Sequence, residues 1–268
     1  MKKPIGIFDS GVGGLTVFRE IRKRFPAEDI IYFGDTARVP YGSKSPDTII
    51  QYSIQNAQFL LQNNAKIIVV ACNTASALAL ETLKNILPVP VIGVIKPGAQ
   101  AAINLSQKKK IGIIGTYATV NSNAYQQELK NLDRSISVHA KACPLFVPLV
   151  EEGWEDHPVT RQIASEYLLD FTKDDFDTLI LGCTHYPILK NTLNSIIGKS
   201  LQLIDSAEVI AESLADVLPD IELTGDGYDM FFVSDNEANF SRIAARIIGY
   251  ELNNLRKVFL GESWIINK

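Results

Sequence analysis

Two cysteines stand in matching sequence settings. Cys72 follows the apolar run Lys66–Ala71, Cys183 follows the apolar run Thr178–Gly182, and each precedes polar residues and a predicted helix. We therefore expect both thiols close to helix N-termini, where backbone N–H groups and the helix dipole favour a thiolate. A thiolate can accept a proton and a thiol can donate one, so the pair could perform acid/base chemistry on a single substrate.

Two acid/base groups on opposite sides of a substrate suit inversion at a carbon that carries an acidic hydrogen. One group removes the proton, a planar carbanion forms, and the other group protonates the opposite face. A positioned acid or base supplies only about 10²–10⁴-fold acceleration. The site must therefore also stabilise the carbanion through preorganised hydrogen bonds and exclude water. The third cysteine, Cys143, precedes Pro144 in a loop and is interpreted as structural.

Polar residues beside the cysteines, and at an equivalent strand end, predict a place for a substrate carboxylate. Together with the helix N-termini, these side chains could bind it: Asn73, Thr74, Thr116 and Thr184. Asp9 ends another apolar run, where it could cap the following turn, orient a substrate ammonium or handle the proton of Cys72. His185 lies two residues beyond Cys183 and is close enough to assist it. Composition alone favours a solvated pair for Glu151 and Glu152.

The glycine-rich turn 10–14 raises the alternative of a nucleotide site, with Asp35 near the position of a ribose-binding acid. The spacing is G-x-G-G rather than G-x-G-x-x-G, and the carboxylate of Asp9 would repel a pyrophosphate, so this alternative is disfavoured.

A metal centre is not predicted either. Cys183 and His185 alone would supply only two ligands to a zinc ion. The other two histidines, His139 and His157, show no ligand spacing. These two histidines are interpreted as surface or capping residues. The sequence predicts neither a metal nor any other cofactor.

The bulk composition limits the function classes. With 268 residues, 46% of them hydrophobic, and a net charge of −4, the chain can bury a full core but offers no basic face for nucleic acid. No apolar run approaches the ~20 residues needed to span a bilayer. The apolar stretch after the first lysines is too short for a signal sequence. Three cysteines without close spacing fit a reducing compartment, so we expect a cytoplasmic protein with no membrane partner.

Short runs rich in Ile and Val alternate with longer amphipathic stretches. Such runs are typical of parallel strands that are buried on both faces. The predicted strands are Pro4–Phe8, Asp29–Phe33, Lys66–Ala71, Pro90–Val94, Lys110–Gly115, Ser135–Ala140, Thr178–Gly182, Ser200–Ile204 and Tyr228–Val233. The alternation predicts an α/β fold with open, mostly parallel sheets flanked by helices, and ligands outside the carboxyl ends of the strands.

A weak internal repeat predicts two similar lobes. The segment 5–10 resembles 111–116, and the segment 69–74 resembles 180–185, in the same order in each half. The Tyr228–Val233 strand has no counterpart and could return to complete the first lobe. We therefore expect a first lobe formed by residues 1–97 and 207–268, a second lobe formed by residues 98–206, and an active site in the cleft between them.

Five ordered segments, two of which contain the cysteines, resemble the glutamate racemases of the Asp/Glu racemase superfamily. The D-S-G-V-G-G and P-Y-G motifs point within the superfamily to glutamate rather than aspartate. The segments are Phe8–Val17, Gly34-Asp35 with Arg38–Gly42, Ala71–Ala75, Pro144–Glu151 and Gly182–Pro187.

The resemblance implies a two-lobed racemase of glutamate that uses no pyridoxal phosphate or metal. It implies that Cys72 acts on D-glutamate with help from Asp9, and that Cys183 acts on L-glutamate with help from Glu151 and His185. It also implies substrate contacts at Asp9, Ser10, Tyr41, Gly42, Asn73, Thr74, Thr184 and His185.

The same resemblance implies that the D-glutamate product feeds peptidoglycan synthesis and that the chain forms a homodimer, although no surface stripe defines an interface. Three other functions remain open at this point. They are an aspartate or hydantoin racemase with the same mechanism, a nucleotide-dependent oxidoreductase, and a non-enzymatic amino-acid-binding protein, which would not need both thiols.

Overall fold

Strands and helices alternate along almost the whole chain. The computed structural model describes residues 3–198, 201–218, 221–222 and 224–260. The strands are β1 (Ile5–Asp9), β2 (Ile30–Gly34), β3 (Ile67–Val70), β4 (Val91–Gly93), β5 (Lys110–Gly115), β6 (Ser137–Ala142), β7 (Thr178–Gly182), β8 (Gln202–Asp205), β9 (Asp229–Val233) and β10 (Leu255–Lys257). The α-helices are α1 (Leu15–Arg24), α2 (Pro46–Gln62), α3 (Asn73–Ile86), α4 (Ile95–Leu105), α5 (Tyr117–Asn121), α6 (Ala124–Leu132), α7 (Phe146–Glu151), α8 (Pro158–Lys173), α9 (Lys190–Ile197), α10 (Ser206–Val217) and α11 (Glu237–Ile248).

The strands form two parallel sheets. The first has the order β10-β9-β2-β1-β3-β4, and the second has the order β6-β5-β7-β8. Every strand pair within the described residues is parallel. This arrangement confirms the predicted α/β class with two open parallel sheets.

No helix within the described part of the chain has the length and apolar character needed to cross a membrane.

Helices cover both faces of each sheet, which explains why the strands are apolar throughout. In β3, Ile67 and Val69 pack into one hydrophobic core, and Ile68 and Val70 pack into another on the opposite face. In the second sheet, Ile113 and Ile114 divide in the same way. Alternating side chains of a strand point to opposite faces, so a doubly covered strand has no polar side.

The strand boundaries differ from the predictions in a few places. β6 begins at Ser137 rather than Ser135, because the backbone N–H and hydroxyl of Ser135 bind the Asp133 carboxylate in a turn before the strand. The three-residue strand β10 was not predicted, since so short an edge strand carries no periodic signal. Ser200, at the start of a predicted strand, lies outside the described residues.

β9 joins the first sheet beside β2, and α10 packs between α1 and α4. The boundaries of the first lobe, 1–97 with 207–268, and of the second, 98–206, stay a prediction, and the extreme ends of the first lobe lie outside the described residues.

The residues singled out for chemistry follow adjacent strands. In the first sheet, β1 ends at Asp9 and pairs with β3, which leads to Cys72. In the second sheet, β5 leads to Thr116 and pairs with β7, which leads to Cys183. Carboxyl ends of neighbouring parallel strands meet at one edge of a sheet, so each sheet gathers its polar residues at a single edge.

We expect Gly112→Ala to destabilise the second sheet by about 1–3 kcal/mol, the usual effect of overpacking a core. A methyl group at Gly112, in the middle of β5, would lie 2.6 Å from Cδ1 of Phe171 and 2.8 Å from Cδ1 of Leu179. Urea unfolding would measure the change. The double variant Gly112→Ala/Phe171→Leu should recover part of the loss, and an unchanged unfolding midpoint for Gly112→Ala would contradict this packing.

Candidate active site

A cavity of about 390 Å³ opens between the carboxyl edges of the two sheets. Its volume lies in the range of about 300–1,000 Å³ typical of sites for small molecules. The structure brings most of the predicted residues to its wall, and they come from both lobes. They are Ser10, Tyr41, Gly42, Cys72, Asn73, Thr74, Thr116, Glu151, Cys183, Thr184 and His185.

Asp9 is the one predicted site residue that does not line the cavity. It is fully buried, and its carboxylate accepts hydrogen bonds from the backbone N–H of Gly11 at 3.0 Å and from the hydroxyl of Thr184 at 3.3 Å. Burial raises the pKa of Asp9, against the opposing effects of the His185 charge and of these hydrogen bonds. Asp9 therefore lies one layer behind the cavity wall, where it acts on the site through its charge and its contacts.

The glycine-rich turn brings the two lobes together. A Cβ atom at Gly13 would lie 2.5 Å from the ring of His185, and one at Gly14 would lie 2.4 Å from Cβ of Asp9. The hydroxyl of Thr16 donates to the carbonyl oxygen of Thr184 across the lobes at 2.9 Å. A side chain at either glycine would push apart the residues that are in contact here. The glycines thus allow the two lobes to pack closely, whereas the glycines of a phosphate-binding loop make room for a phosphate.

Cys72 caps the N-terminus of α3. Its thiol is 5% exposed and lies 3.7 Å from the hydroxyl of Ser10. Burial, together with the negative charge of Asp9, raises the pKa of Cys72 to about 12, although hydrogen bonds from Ala75 and Ser10 oppose the shift. The Cys72 side chain is therefore a neutral thiol at neutral pH.

Cys183 lies in a different environment. Its sulfur is 3.8 Å from Nδ1 of His185, and Nε2 of His185 lies 2.9 Å from a carboxylate oxygen of Glu151, at the end of α7. Burial lowers the pKa of His185, but the bonds to Cys183 and Glu151 outweigh it and raise this pKa to about 10. The neighbouring Glu152 is exposed and does not line the cavity. His185 is therefore protonated at neutral pH and lies between the sulfur of Cys183 and the carboxylate of Glu151.

Hydroxyl groups from both lobes meet on another wall. The hydroxyl oxygen of Thr74 lies 2.9 Å from that of Thr116 and 3.2 Å from that of Thr119, and the latter two are 3.0 Å apart. Thr119 was not predicted; it is buried beneath the other two hydroxyls. Gly42 packs against this group, because a Cβ there would lie 2.7 Å from Cβ of Thr116.

The hydroxyl of Tyr41 is bound within the protein, and the contact of this residue with substrate stays a prediction. That hydroxyl donates to the buried carboxylate of Asp35 and accepts from the side-chain amide of Asn56 at 3.0 Å. The guanidinium of Arg38 binds both oxygens of Asp35, at 2.9 and 2.7 Å. The hydroxyl of Ser234, at the end of β9, also donates to Asp35, at 3.0 Å. Asp35 therefore fixes the wall segment that carries Tyr41, a role unlike the ribose contact considered from the sequence.

Apolar residues complete the cavity, and none of them was among the predicted site residues. Val39 and Tyr117 are 45% and 56% exposed. They could have been found from their positions, because each stands next to a predicted site residue or within a motif. The apolar lining residues are Val39, Pro40, Tyr117, Pro144, Val147 and Pro148.

The remaining histidines fit their interpretation as surface and capping residues. His157 accepts from the backbone N–H of Val159 at 3.2 Å and caps α8, and the side chain of His139 is 45% exposed. Within the described part of the chain, no cluster of three or more His, Cys, Asp or Glu residues could hold a metal ion.

Comparison with known proteins identifies the family. Residues 5–214 match the model of the Asp/Glu/Hydantoin racemase family. The chain is 53% identical to a glutamate racemase from Sulfurihydrogenibium sp. over 92% of this chain and 94% of that protein. It superposes on a glutamate racemase isoform from Bacillus anthracis with a TM-score of 0.92 and 42% identity, covering 96% and 97% of the two chains. A glutamate racemase from Francisella tularensis, solved with D-glutamate, gives a TM-score of 0.91 and 38% identity, covering 98% of this chain and 99% of that chain. The chain therefore belongs to the Asp/Glu/Hydantoin racemase family and, within it, to the glutamate racemases.

Proposed function

We propose that this chain interconverts L- and D-glutamate through two cysteine side chains and without a cofactor. The observation that carries the proposal is that Cys72 and Cys183, one from each lobe, line the same cavity and are 5% and 6% exposed. A substrate in this cavity would have one sulfur on each side of its Cα. This is the arrangement that inversion at that carbon requires.

The two thiols exchange roles during the reaction. In the L-to-D direction, the Cys183 thiolate takes the Cα proton, and the electron pair of the broken C–H bond remains on a planar carbanion. The thiol of Cys72 then donates its proton to the opposite face. The protein finishes with Cys72 as thiolate and Cys183 as thiol, which is the starting form for D-glutamate. Proton exchange returns it to the first form.

We infer the assisting groups from the unequal surroundings of the two sulfurs. His185, held by Glu151 at 2.9 Å, supports the Cys183 thiolate and accepts or returns its proton. The buried carboxylate of Asp9 opposes a negative charge on Cys72. Because burial raises the pKa of Asp9, this carboxylate can also take up the proton that Cys72 must lose before it acts on D-glutamate.

Neutral donors bind the substrate. None of the lining residues within the described chain is Lys or Arg. We infer that the two carboxylates of glutamate bind the free backbone N–H groups at the start of α3 and the side chains around them. Those side chains are the hydroxyls of Ser10, Thr74, Thr116 and Thr184 and the amide of Asn73. The same donors stabilise the carbanion as it forms.

The relatives also suggest a cellular role. We infer a cytoplasmic enzyme that supplies D-glutamate for peptidoglycan, and thereby for cell-wall synthesis and cell shape, and that forms a homodimer. Its sister function, racemisation of aspartate or hydantoins, would use the same thiols in a differently shaped pocket. A non-enzymatic binding protein would have no use for both sulfurs. A panel of amino acids in the assay below separates these functions.

We expect pure protein to convert L-glutamate and D-glutamate into an equal mixture without added pyridoxal phosphate, metal or nucleotide. Circular dichroism of either enantiomer would decay to zero, because the two forms are equal in free energy. Aspartate serves as the control substrate and should react far more slowly. Loss of activity with EDTA, or activity only after pyridoxal phosphate is added, would contradict the proposal.

We expect Cys72→Ser and Cys183→Ser each to lower turnover in both directions by at least about 100-fold, the smaller end of the contribution of a positioned acid or base. A serine hydroxyl is ionised far less readily than a thiol, and each direction needs both groups. Far-UV circular dichroism would check that the variants fold. Cys143→Ser is the matched control, because Cys143 lies outside the cavity wall, and its turnover should stay near that of the wild type.

We expect iodoacetamide to modify Cys183 at least about tenfold faster than Cys72 at pH 8, because the thiolate is the reactive form and the raised pKa of Cys72 keeps that residue protonated. The two residues are similarly exposed, 6% and 5%, so access does not explain the difference. The Cys72 rate should rise about tenfold per pH unit between pH 7 and 10, because this range lies below its pKa of about 12.

Mass spectrometry of tryptic peptides would give both rates. In Asp9→Asn the advantage of Cys183 should shrink, because the negative charge that helps to raise the pKa of Cys72 is gone. Equal rates for the two cysteines in the wild-type protein would show that their protonation states do not differ.

A further inference from the structure

Tyr125 connects the second lobe to a residue of the cavity wall. It lies on α6, is fully buried, and does not line the cavity itself. Its hydroxyl donates to Oδ1 of Asn73, at the start of α3, with a distance of 2.7 Å between the two oxygens. Asn73 lines the cavity. The phenol of Tyr125 thus acts on the site from behind its wall.

The hydrogen bond determines which way the Asn73 amide faces. Among the described residues, the Tyr125 hydroxyl has no second partner, and Nδ2 of Asn73 is buried without any hydrogen-bond acceptor. If the amide were reversed, Nδ2 would donate to the phenol oxygen, and the phenolic proton would be buried without an acceptor. An unsatisfied buried donor is costly. Tyr125 therefore keeps Oδ1 on its own side and leaves Nδ2 buried without a hydrogen-bond partner in the described protein.

The ring of Tyr125 is held in place by two glycines. A Cβ at Gly98, on α4, would lie 3.2 Å from Cε1 of the ring, and one at Gly182, at the end of β7, would lie 3.3 Å from Cε2. Backbone atoms therefore pack close to both edges of the ring. This contact fixes the position of the hydroxyl more firmly than flexible side chains would.

The phenol also stays protonated. Burial raises the pKa of Tyr125, and the charges of Cys183 and Asp205 raise it further. Its O–H group is therefore a permanent donor, and the orientation of Asn73 does not change with pH in the range where the thiols work.

We infer that Tyr125 is a positioning residue that turns the Asn73 amide so that its N–H groups bind a carboxylate of the substrate. This inference rests on the proposed function and deepens it. With Nδ2 presented, the wall favours an anionic acceptor such as a carboxylate; with Oδ1 presented, the wall would repel it. Tyr125 contributes to the preference for an acidic amino acid without touching the substrate.

The test is Tyr125→Phe, which keeps the ring between the two glycines and removes only the hydroxyl. We expect KM for L- and D-glutamate to rise about 3- to 10-fold, the effect of weakening one hydrogen bond to a charged group. The value of kcat should change less than about twofold. Since the two enantiomers have equal free energies, kcat/KM must fall by the same factor in both directions.

Tyr186→Phe is the matched control. It removes another fully buried phenol, whose hydroxyl donates to the carbonyl oxygen of Cys143 at 2.8 Å. Thermal unfolding would show whether the two variants lose similar stability. We expect the Tyr186→Phe variant to keep the wild-type KM, so a rise confined to Tyr125→Phe would not be a general effect of losing a buried hydroxyl.

A double-mutant cycle with Asn73→Ala separates positioning from a structural role. If Tyr125 acts through the amide, Tyr125→Phe should change KM by less than about twofold in the Asn73→Ala background. Effects that multiply in the double variant, or a wild-type KM for Tyr125→Phe alone, would overturn the inference. Absence of racemisation by the wild-type protein would instead overturn the proposed function.

Discussion

The close approach of two turns, one from each lobe, is the constraint on which the rest of the site depends. The glycine-rich turn after β1 meets the turn after β7 so closely that a single added carbon at Gly13 would overlap the ring of His185. Thr16 and Thr184 then bridge the lobes by hydrogen bonds to backbone and to Asp9. With the turns held in this way, one cavity is lined by a cysteine from each sheet, and a small substrate can contact both sulfurs.

Within this shared cavity, the two sulfurs have opposite electrostatic surroundings. Cys72 faces the buried negative charge of Asp9, which raises its pKa to about 12. Cys183 faces the imidazole of His185, whose pKa is raised to about 10 by its bonds to Cys183 and to Glu151. The charge of Asp9, together with burial, therefore makes Cys72 hold its proton more strongly than an isolated thiol would.

A second layer of residues keeps the cavity wall in shape. Asp35, which is fully buried, binds Arg38, the hydroxyl of Tyr41 and the hydroxyl of Ser234. Tyr125, from the second lobe, holds the side chain of Asn73 through a hydrogen bond in the same way. These groups are charged or polar side chains buried behind the wall, where each has a hydrogen-bond partner. The side chains of the cavity wall are therefore already oriented, which reduces the ordering cost of binding a ligand.

The α/β class and the position of each thiol at a strand end could be predicted from the sequence. Both follow from local pattern, because an apolar run followed by a polar turn encodes a buried parallel strand and its carboxyl end. Tertiary structure alone decided the partner of each sulfur. Glu151 reaches His185 from 34 residues away, and Tyr125 reaches Asn73 from 52 residues away. It also placed Asp9 behind the wall and turned the Tyr41 hydroxyl toward Asp35. Such contacts depend on how separate helices and turns pack and on which rotamer fits between them. Neither can be predicted from the periodicity of a single segment.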